Sequence, residues 1–331
     1  MRLRGSVAST LLAALVVATG CAGEDSGPSV PTREPATAAV SPPAAGVPAG
    51  SVTPLSATKA LLAERATGRL AALDTAGTTL ALIDSAGTQR VALPVAGTAL
   101  AQGTAGEVLV AADGRVLRVR ADSGAITELP VEGDVRSVQI RPDASLVVGT
   151  ADGTVRVLDP TGAVTRTVTG LVSADALAVT GDAITVLDRK QTAVVGVGTD
   201  ALGLMLRAGD GATNALADPH GRIVVADTDG GELLVYSAGP LVLRQRFPVA
   251  SAPYALAYDP RSDTVWVSCT QSNEVVGYDL STGIGVEVDR LTTVRQPDAI
   301  AVDERTGDLF VASAAGDGLQ RIGAGQRKRG L

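Results

Sequence analysis

A short apolar segment recurs seven times at a nearly constant spacing along this chain. The copies begin at residues 60, 99, 137, 176, 215, 255 and 299, so that successive copies are 38 to 44 residues apart. Each copy is followed by a turn rich in Pro, Asp and Gly, and then by further short apolar runs. Apolar residues that alternate, or run in fours between Gly and Asp, indicate strands rather than helices. Four short strands in about 40 residues is the period of a β-propeller blade.

The repeat predicts an all-β fold over residues 51–323, a seven-bladed β-propeller of four-stranded antiparallel blades. The last copy has room for only three strands before the chain ends, whereas residues 51–55 precede the first copy and have no blade of their own. We therefore expect an N-terminal strand to complete the last blade and close the ring, because closure removes two exposed strand edges.

The N-terminus has the pattern of a bacterial export signal. Two arginines precede an apolar run at 11–18 that is too short to span a bilayer. Residues 18–21, Ala-Thr-Gly-Cys, resemble a lipobox, and this resemblance implies cleavage before Cys21 and its diacylation, including palmitate. An ordinary signal peptide with a chance cysteine is the alternative. We predict a lipoprotein signal at 1–20 and a mature chain anchored by Cys21 on the extracytoplasmic face of the cell membrane.

Two segments flank the predicted propeller. Residues 21–50 hold six prolines, many alanines and no aromatic residue. Such a composition cannot bury enough apolar surface to fold, so we predict a disordered tether. The basic tail at 324–331 is expected to be a frayed, solvated end, with contact to a membrane surface as the alternative.

The overall composition limits the partners. A formal net charge of −7 argues against nucleic acid and against broad docking on anionic lipid. We expect a monomer, and no cofactor motif is present. Arginine far outnumbers lysine and alanine is abundant, which indicates a high-GC genome such as that of an actinobacterium.

The pattern around two side chains of reactive types, one cysteine and one histidine, predicts structural roles for both. If Cys21 is lipidated, Cys269 has no disulfide partner, and its place at the end of a strand predicts a buried apolar residue rather than a reactive thiol. His220 is the only histidine and lies in the turn 218–221. It is expected to be solvated, on the face opposite the ends at which the first strands begin. One histidine cannot form a His-based zinc site or relay.

A ring of polar residues follows from the repeat. The residue before each first strand should face the mouth of the central channel, and these residues are Lys59, Thr98, Arg136, Asp175, Asn214, Tyr254 and Asp298. Asp298 is expected to pair with Lys59 of the neighbouring blade. Arg136 is expected to pair with Asp175 in the same way. We predict a ligand-binding mouth, because concave places with convergent polar groups are typical ligand sites. A self-neutralised ring that only fences water is the alternative.

The repeat resembles the YVTN and NHL-type propeller repeats of bacterial proteins, in which an IAVD-like strand is followed by a short turn and an LYVA-like strand. The matching segments are AIAVDERTGDLFVAS at 299–313, ALAYDPRSDTVWVSC at 255–269 and ALADPHGRIVVAD at 215–227. The resemblance covers residues 51–323. It implies the fold, whereas propellers of this kind serve in binding, scaffolding and catalysis alike.

We expect a non-enzymatic binding or scaffold protein that takes an envelope protein, a glycan or a small ligand at the mouth, with Tyr254 as a candidate stacking platform. The alternative is a propeller enzyme. Gluconolactonase-like propellers bind a divalent cation at the mouth, and Asp175, Asn214 and Asp298 offer suitable oxygens. Two basic residues in the same ring oppose a cation there. Streptogramin lyase-like propellers need a catalytic histidine, and the one histidine here is predicted to be on the opposite face.

Overall fold

Short antiparallel strands make up almost the whole structure. The computed structural model describes residues 31–249 and 251–328, and Thr32–Leu331 form one compact unit. Within those described ranges, no helix is long and apolar enough to cross a bilayer. The signal predicted at 1–20 and the lipidation predicted at Cys21 lie outside the described residues.

The strands are arranged as blades, each with its first strand innermost. Blade 1 contains β2 (Thr58–Ala63), β3 (Leu70–Asp74), β4 (Thr79–Asp84) and β5 (Gly87–Ala92). Blade 2 contains β6 (Gly97–Gln102), β7 (Glu107–Arg120), β8 (Ile126–Ile140), β9 (Leu146–Thr150), β10 (Val155–Leu158) and β11 (Val164–Val168). Blade 3 contains β12 (Ala176–Thr180), β13 (Ala183–Asp188), β14 (Ala193–Val197) and β15 (Leu202–Arg207).

The second half of the chain continues the pattern. Blade 4 contains β16 (Ala212–Ala217), β17 (Arg222–Asp227), β18 (Glu232–Ala238) and β19 (Leu241–Pro248). Blade 5 contains β20 (Pro253–Asp259), β21 (Thr264–Cys269), β22 (Glu274–Asp279) and β23 (Val286–Thr292). Blade 6 contains β24 (Ala299–Asp303), β25 (Asp308–Ala312), β26 (Leu319–Ile322) and, outermost, β1 (Ser51–Thr53).

The β-propeller fold with antiparallel, mostly four-stranded blades is confirmed, but the predicted number of seven blades is wrong. The described residues form six sheets, because the repeats that begin at 99 and 137 share the six-stranded blade 2. The pairing of Asp113 with Asp134 joins these two repeats into one sheet, in which β7 has 14 residues and β8 has 15. The chain still reverses within β7, because the Ala121 N–H donates to the Gly106 carbonyl at 2.9 Å.

The ring closes with the N-terminal strand, as expected for residues 51–55. Ser51, Val52 and Thr53 pair antiparallel with Arg321, Gln320 and Leu319 of β26. Strand β1 therefore supplies the outer strand that the last copy of the repeat lacks, and the two ends of the propeller are held together by backbone hydrogen bonds.

The core lies between neighbouring blades. Second and third strands carry Val, Ile and Leu side chains that face the next blade, as where Val224 and Leu233 of blade 4 pack with Val267 and Val276 of blade 5. Cys269 belongs to the same cluster and has no exposed surface. Burial raises the pKa of its thiol to about 12, which disfavours the reactive thiolate, and the predicted burial of this cysteine is confirmed.

Residues 33–49, here called the strap, differ from the disordered tether predicted for 21–50. The strap runs across the upper face, defined as the face that carries the links between blades and the turns between second and third strands. At one end, the Arg33 N–H donates to the Lys190 carbonyl, at 2.9 Å. At the other end, the Ala49 N–H donates to the Thr292 carbonyl, at 3.0 Å. Residues 21–30 lie outside the described residues.

The tail predicted as a frayed end at 324–331 is docked as far as the structure describes it. A single 3-10 turn, Ala324–Gln326, leads into Arg327, whose side chain is fully buried. The Arg327 guanidinium donates to Asp259 at 2.9 Å and lies 5.2 Å from the centre of the Trp266 ring. The composition of the tail did not indicate that one of its arginines is buried between a carboxylate and an aromatic ring.

Candidate functional site

Several of the predicted mouth residues lie at irregularities of the strand backbone. Lys59, Thr98, Arg136 and Tyr254 fall where the register between their own strand and the next one shifts and skips them. A bulged residue is released from the ladder and its side chain is re-aimed, a device that is common next to functional sites. The bulge in β16 falls at Thr213 instead, one residue before the predicted Asn214.

The seven predicted residues do not have equal access to solvent. Arg136 is exposed and the other six are partly buried. Two of these six join separate strands of the ring. Thr98 of β6 donates to the Val135 carbonyl of β8 at 2.9 Å, within blade 2, and the Asn214 side chain of blade 4 donates to the Tyr254 carbonyl of blade 5 at 3.0 Å. These two side chains are therefore engaged by the fold and are less available to a ligand.

The two ion pairs predicted between neighbouring blades do not form. Arg136 pairs with Asp134 of its own strand rather than with Asp175. Asp175 instead accepts hydrogen bonds from the Ser173 hydroxyl and from the Arg189 N–H. The reason is local: side chains and N–H groups on the same blade reach these carboxylates before a neighbouring blade does.

The pair predicted between Asp298 and Lys59 is also absent. Asp298 accepts a hydrogen bond from the Gln296 side chain at 2.8 Å. Lys59 forms no ion pair with any residue that the structure describes. Both charged groups therefore remain without an ionic partner at the mouth.

Desolvation governs the electrostatics of these groups. Burial lowers the pKa of Lys59, although the Asp74 carboxylate partly opposes this shift. Burial raises the pKa of Asp298 to about 6, against a smaller opposing effect of the Gln296 hydrogen bond. Burial also raises the pKa of Tyr254. The mouth thus contains polar groups that have lost water without gaining a charged partner.

Asp298 should make the stability of the propeller depend on pH. Because its pKa is higher in the folded than in the unfolded chain, the folded state binds the proton more tightly, and the resulting stabilisation is lost as pH rises from about 4 to about 6. At pH 7 we expect Asp298→Asn to stabilise the protein by about 1–2 kcal/mol, after allowing for screening by solvent. Urea unfolding of both proteins from pH 4 to pH 8 measures the difference.

The difference between the two proteins should be small near pH 4 and reach a plateau above about pH 7. Asp182→Asn is the matched control, because its carboxylate is 99% exposed. A difference between Asp298→Asn and the wild type that does not vary with pH would contradict the assignment.

The residues considered for a divalent cation, Asp175, Asn214 and Asp298, each make a hydrogen bond to another protein group. Among residues 31–249 and 251–328, no group of three or more His, Cys, Asp or Glu side chains is arranged to hold a metal ion. His220 lies in the turn between β16 and β17, on the face opposite the mouth, with its Nε2 at 3.2 Å from the Tyr258 hydroxyl. Asp263 lies 3.3 Å from the same nitrogen. This histidine is not near any of the seven predicted residues.

The strap encloses a groove that sequence reasoning missed. Strap residues 34–40 form one wall, and the turn 228–231, Val249, Ala252 and Gln271 form the rest, around a volume of about 860 Å³. The groove lies on the upper face, over blades 4 and 5. The sequence offered one indirect signal for this groove. The Pro- and Ala-rich segment directly precedes the closing strand, so it has to approach the ring from the upper or the outer side.

Comparisons with known proteins agree with the fold. No protein-family profile and no curated protein sequence matches the chain. A chain of the Kuenenia stuttgartiensis hydrazine synthase has a TM-score of 0.70 and 13% identity, covering 82% of this chain and 97% of that one. A catalytically inactive histidine-to-alanine variant of virginiamycin B lyase from Staphylococcus aureus, with quinupristin, has a TM-score of 0.66 and 13% identity, with coverages of 82% and 98%.

A chain of the mitotic checkpoint complex is also similar, with a TM-score of 0.68 and 12% identity over 84% of this chain and 93% of that one. A synthase, a lyase and a checkpoint assembly share this architecture, so the likeness indicates no particular activity. The comparisons and the sheets together show that the chain folds as a β-propeller.

Proposed function

We propose that this chain is a non-enzymatic binding protein of the cell envelope that takes its partner at the channel mouth. The observation that carries the proposal is the set of desolvated polar groups there: Lys59, Tyr254 and Asp298 are partly buried, and the two charged ones form no ion pair with the residues that the structure describes. Perturbed titratable groups in a concave place are typical of functional sites. A ligand with complementary polar groups would compensate for the lost water.

The charges of the mouth favour a class of ligand. Two basic residues, Lys59 and Arg136, share the ring with two acidic ones, Asp175 and Asp298. Such a balanced ring suits a neutral or zwitterionic polar ligand, such as a glycan or a peptide segment of an envelope protein, better than a polyanion. Tyr254 adds an amphipathic ring against which a sugar or an aromatic group can pack.

Anchoring belongs to the same proposal. The lipobox-like residues 18–21 support cleavage before Cys21, its acylation, and a location on the extracytoplasmic side of the membrane. One acyl group alone holds a protein weakly, so the two chains of a diacylated cysteine suit stable anchoring.

Crosslinking of the lipidated chain in its own membranes tests both parts of the proposal. Lys59→Met combined with Tyr254→Phe should reduce the crosslinked partner, protein or glycan, about tenfold, because two polar contacts of about 0.7 kcal/mol each are lost. Arg244→Met, on the exposed outer strand β19, is the control and should leave the crosslinked amount unchanged. Cys21→Ser should move the chain from the membrane to the soluble fraction.

Equal crosslinking by the mouth variant and the control would rule out the mouth as the docking place. A Cys21→Ser chain that stays in the membrane fraction would instead contradict the anchor. The two parts of the proposal therefore fail separately.

A further inference from the structure

The middle of the strap is held like a bound peptide. The Gln296 side chain makes two opposed hydrogen bonds to its backbone: Oε1 accepts from the Ser41 N–H at 2.9 Å, and Nε2 donates to the Ala39 carbonyl at 3.0 Å. The Asn273 side chain donates to the Pro42 carbonyl at 3.0 Å. Side-chain amides that pair with a peptide in this way recognise an extended backbone, whatever its side chains.

One side chain of the strap is recognised as well. The Ser41 hydroxyl donates to the Thr270 carbonyl and accepts from the Gln296 N–H, at 3.1 Å. Ser41 is only 5% exposed, whereas the preceding Val40 is 88% exposed. The place occupied by Ser41 therefore has room and partners for a small hydroxyl residue, and the place occupied by Val40 accepts many side chains.

Thr270, Asn273 and Gln296, here called the clamp, also have contacts that do not involve the strap. Asn273 and Gln296 have the left-handed backbone angles φ 53° and φ 54°, which are unfavourable for residues other than glycine. The Asn273 side-chain oxygen accepts from the Gln296 N–H at 3.1 Å and joins the two residues. Left-handed residues of this kind persist where the surrounding structure imposes them, and they cluster at binding sites.

We propose that the clamp is a peptide-binding site for extended segments that contain a serine at the position of Ser41. In this structure residues 39–42 occupy it in cis. The partner is an extended, serine-containing segment of another envelope protein, which binds when the strap is displaced. This site is separate from the proposed ligand at the mouth, although Gln296 also contacts the mouth residue Asp298.

Because residues 39–42 of the same chain already occupy the clamp, a binding experiment must first displace them. A segment tethered a few residues from its site has an effective concentration in the millimolar range, so a free peptide of moderate affinity cannot compete with it. The strap must first be weakened within the full chain. Ser41→Glu does this, because the place of Ser41 is buried and faces the Thr270 carbonyl, and Val40→Glu adds the same charge at an exposed neighbouring position.

The test measures binding of a fluorescent peptide of residues 36–43 to full-length proteins. The Ser41→Glu chain should bind this peptide at least about tenfold more tightly than the wild type or Val40→Glu, because only Ser41→Glu releases the strap. A peptide with alanine in place of serine should bind about tenfold more weakly, since two clamp groups lose their partner. Adding Gln296→Ala to Ser41→Glu should abolish binding, whereas adding Gln271→Ala should not.

Hydrogen exchange of the strap amides makes each outcome decisive. If Ser41→Glu leaves the strap as protected as in Val40→Glu, the clamp does not recognise serine and the proposal is wrong. If the strap is released, the rest of the propeller keeps its protection and the peptide still fails to bind, the clamp is not a peptide site. Equal binding by the Gln296→Ala and Gln271→Ala chains would also overturn the proposal.

Discussion

Gly50→Ala should destabilise the propeller by about 3–4 kcal/mol, because it disrupts the closing strand. Gly50 directly precedes β1 and has a φ of 75°, at which a side chain is strained. A Cβ at this position would lie 2.1 Å from the Arg321 carbonyl oxygen. That oxygen belongs to β26, the partner strand of β1, so it cannot move away without disturbing the ladder that closes the ring. Urea unfolding measures the loss as a lower midpoint at an unchanged slope.

Gly114→Ala is the control for backbone strain alone. Gly114 has a similar φ of 71°, but a Cβ there would meet nothing within 4 Å. We expect a loss of only about 1–2 kcal/mol from the left-handed conformation. Equal losses for the two variants would show that strain, and not the closing strand, accounts for the effect of Gly50→Ala.

Arg327→Met should destabilise the protein by about 3–5 kcal/mol, because it leaves the Asp259 carboxylate buried without its cation. The side chains of Arg327 and Asp259 are both 0% exposed and lie 2.9 Å apart. Arg327 also contacts the face of the Trp266 ring, which adds a cation–π contribution. Chemical unfolding of the full chain, followed by Trp266 fluorescence, reports on the same part of the fold.

Two further variants separate the buried pair from a general effect of the tail. Lys328→Ala removes the next basic residue, whose side chain is 77% exposed and 3.8 Å from Asp289, and should cost less than about 0.5 kcal/mol. Adding Asp259→Asn to Arg327→Met should recover much of the loss, because no unpaired charge then remains. If Lys328→Ala is as destabilising as Arg327→Met, the buried ion pair is not the cause.

The prediction of the blades shows which features of the fold the local sequence pattern determines. Alternating apolar residues and turn residues placed nearly every strand, since strand and turn preferences depend on neighbours in sequence. The number of blades depended on pairing between residues that are distant in sequence. Whether two neighbouring repeats share one sheet is decided by the pairing of Asp113 with Asp134, a contact between two separate segments.

The same limit applies to the candidate site. The positions of the seven mouth residues followed from the repeat, but the partners of Arg136, Asp175 and Asp298 did not. These groups form hydrogen bonds or ion pairs with nearby residues of the same blade or of its link. A repeat alignment places residues along the strands, but it does not show which groups their side chains contact.

By itself, the sequence determined the strand period, the all-β propeller class, the closure by the segment 51–55 and the burial of Cys269, because each follows from the residue pattern along a short stretch. Only the tertiary structure decided the six blades, the buried Arg327 and the clamp around the strap. Ser41 and Gln296 are 255 residues apart, and their contact exists only because the closed ring returns the end of the chain to its beginning. Hydrogen bonds to backbone atoms leave almost no trace in the identity of the residues that supply them.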